Sequence, residues 1–285
     1  MTQKILFWLL DATYDVVGNI PEIRLWGIDD KGRRVVLLER NFRPYFYVLP
    51  RTEEDLGRLV KKLKAYATGR ARLVSIEVVD RKYYGKPVKA IKVTCSIPSE
   101  VPVLREIYAA LPEVKEVLEA DIRFYMRYMI DYQLKPCSWH KVEVKQLPNV
   151  KGWRIDAVYL MISKPKPIEL NKLPDLKIMA FDIECYNPRG TPNPERDPVI
   201  IISIATNKGV KKLLKASNHD DRLLIREFVR FIKDFDPDII VGYNSNRFDW
   251  PYLMKRAKRL GIRLDVTRAG GPPAQSVYGL SLIHI

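Results

Sequence analysis

The chain opens on an apolar block, "ILFWLL" (Ile5 to Leu10), which ends at Asp11 and predicts a strand. "IPEIRLWGID", the turn "DDKG" and "RRVVLLER" predict a hairpin, and "PYFYVLP" (Pro44 to Pro50) predicts a further strand. From Glu53 to Tyr66 the period lengthens. Leu56, Leu59, Val60 and Leu63 fall on one face and Arg58, Lys61 and Lys62 on another, the pattern of an amphipathic helix. "RLVSIEVVD" and "PVKAIKVTC" are rich in β-branched residues and flank the turn-like "RKYYGK". Ser99 is then placed as an N-cap, with Pro102 in the first turn and Leu104, Ile107, Tyr108 and Leu111 facing inward. "EVKEVLEAD" closes the series. From Pro44 the order is β-α-β-β-α-β, the ferredoxin-like (split βαβ) plan.

"ADIRFYMRYMIDYQLKP" (Ala120 to Pro136) predicts a helix, with Pro136 marking a boundary. The second half predicts strands at "KIMAFDIE", "PVIIISIATN" and "GVKKLLKA", then a helix from Asp220 to Phe235. The strand "DIIVGYN" and a helix from Trp250 to Leu260 follow. This β-β-β-α-β-α series is the start of an RNase H-like α/β fold, α/β after the α+β first half. Two domains are expected, 1–135 and 136–285. In open α/β sheets, ligand-binding residues gather at the carboxyl ends of strands.

Two acidic sites fall at such ends. Asp182 and Glu184 lie two apart on "MAFDIEC", so both project from one face with Cα atoms roughly 7 Å apart. Carboxylates so placed can share a hard divalent cation. Structure alone offers another account, with Asp182 capping the strand and Glu184 merely exposed. Asp249, in "YNSNRFDWPYL", follows a second apolar strand at the start of a helix. It can equally be a helix cap, with Phe248 and Trp250 in the core.

Charge narrows the partners. The 49 Lys and Arg against 34 Asp and Glu leave +15 on 285 residues, a surplus that suits a polyanion as well as a basic soluble surface. The cysteines (Cys95, Cys137, Cys185) lack CxxC spacing and predict neither a disulfide framework nor a zinc site, as in a reducing cytoplasm. No segment is apolar and long enough to predict a membrane span. Only four glutamines are present, which fits a thermophile.

The D-x-E of Asp182 and Glu184, followed by N-x-x-x-F-D at Asn244, Phe248 and Asp249, resembles the first two exonuclease motifs of family B DNA polymerases. "RPYFYVLP", "GKPVKAIKV", "VPVLREIYAALPEV" and "EADIRFYMRYMID" resemble the amino-terminal domain of the archaeal members, so the likeness runs to about Gly279. It implies a 3′→5′ proofreading exonuclease with two Mg²⁺ or Mn²⁺ ions at Asp182, Glu184 and Asp249. Asn244 and Phe248 would position the strand end. It implies DNA as partner, a single-stranded 3′ end and a template strand, with a sliding clamp beyond this segment and a cytoplasmic, nucleoid-associated location. Archaeal members also hold a template-uracil pocket, whose matching positions here are Tyr14, Pro44, Tyr45, Ala90 and Pro112, Ala90 being smaller than usual. The family's third exonuclease motif, Y-x-x-x-D, does not follow Asp249. An inactive amino-terminal fragment of a polymerase is therefore expected, with "LSLIHI" (280–285) foreign to the gene, read as a sequencing-library transposon end. A free-standing DEDD-type 3′→5′ exonuclease and a non-catalytic nucleic-acid-binding module remain as alternatives.

Overall fold

The computed structural model describes residues 2–54, 56–188, 190–275 and 283–284. The chain divides into two compact units, Met1–Pro148 with Ala157–Leu170, and Asn149–Asp156 with Asn171–Ile285. It therefore crosses from one unit to the other three times.

In the first unit, β1 (Thr2–Val17), β2 (Ile20–Asp29) and β3 (Arg34–Glu39) form a meander. The strands β8 (Trp139–Leu147), β9 (Ala157–Met161) and β10 (Lys166–Pro167) join it in the order β1-β2-β3-β9-β8-β10. Because β1 also pairs with β8, from Thr2 to Trp8, the five long strands close into a ring. Its filling includes Phe7, Leu25, Leu37, Val144 and Tyr159, together with Phe124 and Tyr128 of α3 (Phe124–Asp131). Gly27 has to be glycine, since a Cβ there would lie 2.0 Å from the Trp8 carbonyl oxygen and 2.5 Å from the Phe7 ring.

The second sheet holds β4 (Tyr45–Pro50), β5 (Leu73–Tyr83), β6 (Lys86–Cys95) and β7 (Val114–Leu118) in the order β5-β6-β4-β7. Phe46, Val48, Ile91 and Val93 pack with Leu63 of α1 (Leu56–Ala67) and Leu104 and Tyr108 of α2 (Glu100–Ala109). Two hairpins turn on two residues with positive φ, the geometry that favours glycine and asparagine. Gly18 and Asn19 (φ 57° and 64°) supply those residues between β1 and β2. Between β5 and β6 the pair is Tyr84 and Gly85, with φ 48° and 79°. A tyrosine held there is strained by roughly 1 kcal/mol.

Two local expectations are corrected. Ser99 makes no side-chain cap; the Glu100 carboxylate instead accepts the Arg72, Ser96 and Ile97 backbone N–H groups at 2.9, 3.0 and 3.1 Å. The helix expected over Ala120 to Pro136 shortens to α3. Glu119 and Gln133 take left-handed φ of 61° and 52° on either side, and the Leu134 N–H closes the end on the Met129 carbonyl at 2.9 Å.

In the second unit, β11 (Ile178–Cys185), β12 (Val199–Thr206) and β13 (Lys211–Lys215) precede α4 (Arg222–Phe235), β14 (Ile239–Val241) and α5 (Asp249–Arg259). The sheet order is β13-β12-β11-β14, with β14 parallel to β11 and the other pairs antiparallel. Strand alternation puts Met179, Phe181 and Ile183 into a core with Phe228 of α4 and Trp250 and Leu253 of α5. Asp182 and Glu184 are left exposed on the other face. A buried ion pair joins the two helices: Asp221 accepts Arg256 Nε and Nη2 at 2.8 and 2.7 Å, and takes the Val199 N–H as well. A short pair, β15 (Ala274–Gln275) with β16 (Ile283–His284), ends the description, so the ending expected to be foreign lies mostly outside the described residues. No helix of the described residues is long and apolar enough to cross a membrane.

Candidate functional site

Strand β14 ends at Val241, opposite Ala180, so β11 runs on for several residues without a neighbour on that side. The first residue of α5 fills the gap. Asp249 Oδ1 accepts the N–H of Ile183, the residue between the two strand acids, at 3.3 Å. The chain reaches this point through a tight turn at Gly242. A Cβ there would meet the Ser245 side chain at 2.8 Å and the Phe181 carbonyl oxygen at 3.1 Å. Asn244 follows with φ 57°, and its carbonyl accepts the Arg247 and Phe248 N–H groups at 3.0 Å each, starting the helix one residue before Asp249.

Asp249 is 2% exposed. Burial pushes its carboxyl above the ordinary aspartate range, and the negative charge of Asp182 pushes it further, against two backbone hydrogen bonds that act downward. The two carboxylates are thus close enough to repel one another. Glu184 shares the exposed face with Asp182, but no three His, Cys, Asp or Glu side chains among the described residues are gathered closely enough to hold a metal ion. The all-oxygen donor set fits a hard divalent cation, which would neutralise the pair.

Phe248 is half-buried against the core, its ring 5.5 Å from that of Tyr252. The Tyr252 hydroxyl donates to the Asp197 carbonyl at 2.8 Å. Beside it the Cys185 thiol is pushed up to about 11, chiefly by burial, and stays protonated. An open cleft of about 730 Å³ runs from Asp182 along the exposed sheet face past Ala180, Ser203, Lys211 and Tyr243. Sequence pattern did not single out Gly242, Tyr252 or the Asp221–Arg256 pair. A glycine directly after an apolar strand was the one available signal.

The five expected uracil-pocket positions all lie in the first unit. The Tyr14 and Tyr45 rings join one aromatic cluster through Phe42 and Phe124, and Pro44 is buried beside them. Tyr45 lies between the Lys92 ammonium (4.1 Å) and the Arg127 guanidinium (4.8 Å), and its hydroxyl donates to Asp131. Ala90 is buried on β6, four residues from the Thr94 that pairs with Tyr45, or roughly 13 Å along the strand. Pro112 is exposed, with its carbonyl accepting Arg51 Nε at 2.8 Å.

Residues 115–272 match the model of "DNA polymerase family B, exonuclease domain". DNA polymerase 2 of Aeropyrum pernix is 40% identical over 96% of the chain, and the DNA polymerase of Archaeoglobus fulgidus 39% over 94%. The solved family B DNA polymerase of the hyperthermophilic archaeon Pyrobaculum calidifontis superposes with a TM-score of 0.88 and 46% identity, covering 98% of the chain. The chain spans about a third of the length of these relatives, 34%, 32% and 35% respectively. With a family model matching over half its length and relatives matching nearly all of it, the chain belongs to the family B DNA polymerases.

Proposed function

We propose that this segment carries the 3′→5′ proofreading site of a DNA-directed DNA polymerase. The nearness of Asp182 to Asp249, whose Oδ1 accepts the Ile183 N–H, supports this most directly. Asp182, Glu184 and Asp249 would hold two divalent ions, Mg²⁺ or Mn²⁺, which supply an activated water and stabilise the leaving 3′ oxygen. By the family resemblance, Asp182 would be the ligand both ions share. Asn244 would hydrogen-bond the strand end and Phe248 would pack against it. The sheet orders fit the finer folds expected, ferredoxin-like for β4 to β7 and RNase H-like for β11 to β14. The amino-terminal domain is proposed to end near Lys135, and a sliding clamp and the polymerase centre would be met outside this segment. The site of action would be cytoplasmic DNA.

In the parent polymerase, Asp182→Ala should abolish Mg²⁺-dependent shortening of 5′-labelled single-stranded DNA while the melting temperature stays near that of the unaltered enzyme. A folded variant that degrades DNA at the original rate would refute the assignment. Without the family's third exonuclease motif, residues 1–285 alone should show negligible activity in the same assay. For Tyr14, Pro44, Tyr45, Ala90 and Pro112, a pocket for template uracil predicts tighter binding of a uracil-bearing strand than of its thymine twin, lost in Tyr45→Ala. Equal affinities would reduce the five to packing.

A further inference from the structure

The turn between β5 and β6 breaks a rule that the turn between β1 and β2 keeps. Both need positive φ at two residues. Gly18 and Asn19 meet that need with residues that tolerate it, whereas Tyr84 does not. The conformation gains Tyr84 no burial either, since it remains 89% exposed. A strained aromatic that contributes nothing to a core is a feature to explain by function.

Its surroundings supply the chemistry. The Tyr83 ring lies 4.6 Å from that of Tyr84, edge to face, and is fixed by its hydroxyl donating to Glu116 at 2.7 Å. Lys86 stands directly across the ladder from Tyr83, and therefore on the same face. The Lys115 ammonium lies 4.9 Å from the Tyr83 ring, and Arg81 reaches the Tyr47 hydroxyl at 3.0 and 3.2 Å. Lys82 is exposed on the opposite face of the hairpin. Of the nearby acids, Asp80 is neutralised by Lys89 at 2.6 Å, while Glu116 keeps its charge under the Tyr83 hydroxyl; Arg81, Lys82, Lys86 and Lys115 outnumber it, so positive charge dominates the hairpin end. An exposed aromatic in a surplus of cations is what a sequence-tolerant contact to a single strand requires, with stacking on the base and charge on the phosphates.

We propose that the β5–β6 hairpin end is a binding surface for single-stranded DNA, with Tyr84 stacking on a base and Lys86 and Lys115 meeting the flanking phosphates. The choice of DNA as the strand rests on the family B reading, and the surface lies on the first unit, whereas Asp182 lies on the second.

The test is fluorescence anisotropy of the whole chain with a fluorescein-labelled oligothymidylate in EDTA, with melting curves of each variant. Tyr84→Asn restores the favoured turn residue, so it should melt at or above the unaltered protein yet bind about tenfold more weakly. Tyr84→Phe should bind as the unaltered protein does. Lys86→Glu with Lys115→Glu should weaken binding and flatten its dependence on salt. Unchanged affinity in the folded Tyr84→Asn variant, or a preference for duplex over single strand, would overturn the proposal. Failure of the nuclease reading would show only in the degradation assay of the parent enzyme.

Discussion

His140 shows how one side chain can fix a pH limit. It is 1% exposed, its Nδ1 pairs with the Ser138 carbonyl at 3.0 Å, and its Nε2 accepts the Lys135 N–H at 3.3 Å. Accepting at Nε2 requires the neutral ring, and burial holds its pKa below the ordinary histidine range. The folded state thus binds this proton less readily than the unfolded chain, so the neutral ring's contribution is intact above an unfolded pKa of about 6.5. It is lost as pH falls through the folded value. His140→Gln keeps a donor and an acceptor but cannot titrate. Its melting temperature should fall less than that of the unaltered protein between about pH 8 and about pH 5. An equal fall in both would show that other groups set the acid limit. The acids of the site are a different case, because their partners come from distant segments. The shared face of Asp182 and Glu184 was legible from spacing, while the approach of Asp249 to Asp182 depends on β14 stopping at Val241.

Strands with continuous apolar runs, such as β11 and β12, and helices with clear apolar stripes, such as α1 and α4, could be read directly from the pattern. The β8 strand "WHKVEVKQL" alternates Val142 and Val144 with Lys141, Glu143 and Lys145, so its strand character is visible in the pattern; its pairing with β1, far away in sequence, is not. Cap chemistry was also hidden. Asp221 looks like a cap for α4, yet it makes no side-chain cap and spends its carboxylate on Arg256 and the Val199 N–H. That pair ties α4, α5 and β12 together beneath the site. Asp221→Ala would leave Arg256 buried without its partner and should lower stability by about 3–5 kcal/mol in urea unfolding. Replacing both residues with apolar ones of similar volume should lower it far less. If the single change were the milder of the two, the pair would be incidental to the packing.

The path of the chain between the two units bears on how the molecule can be divided. Residues 149–156 belong to the second unit, where Arg154 Nη2 donates to the Val266 and Thr267 carbonyls at 2.7 and 3.1 Å. The chain then returns to set β9 between β3 and β8. A protease cutting once within 149–156 should therefore give two pieces on a denaturing gel that still travel together in gel filtration. Separate elution under native conditions would mean that β9 is only loosely held. The sheet is in effect laced by a strand delivered after the excursion. A piece ending at Lys135 would lack both β8 and β9, leaving β1 and β3 with open edges where the ring now closes. Such a piece would invite pairing with a second copy of itself. The amino-terminal unit is thus finished by residues that the chain supplies only after it has begun to build the other.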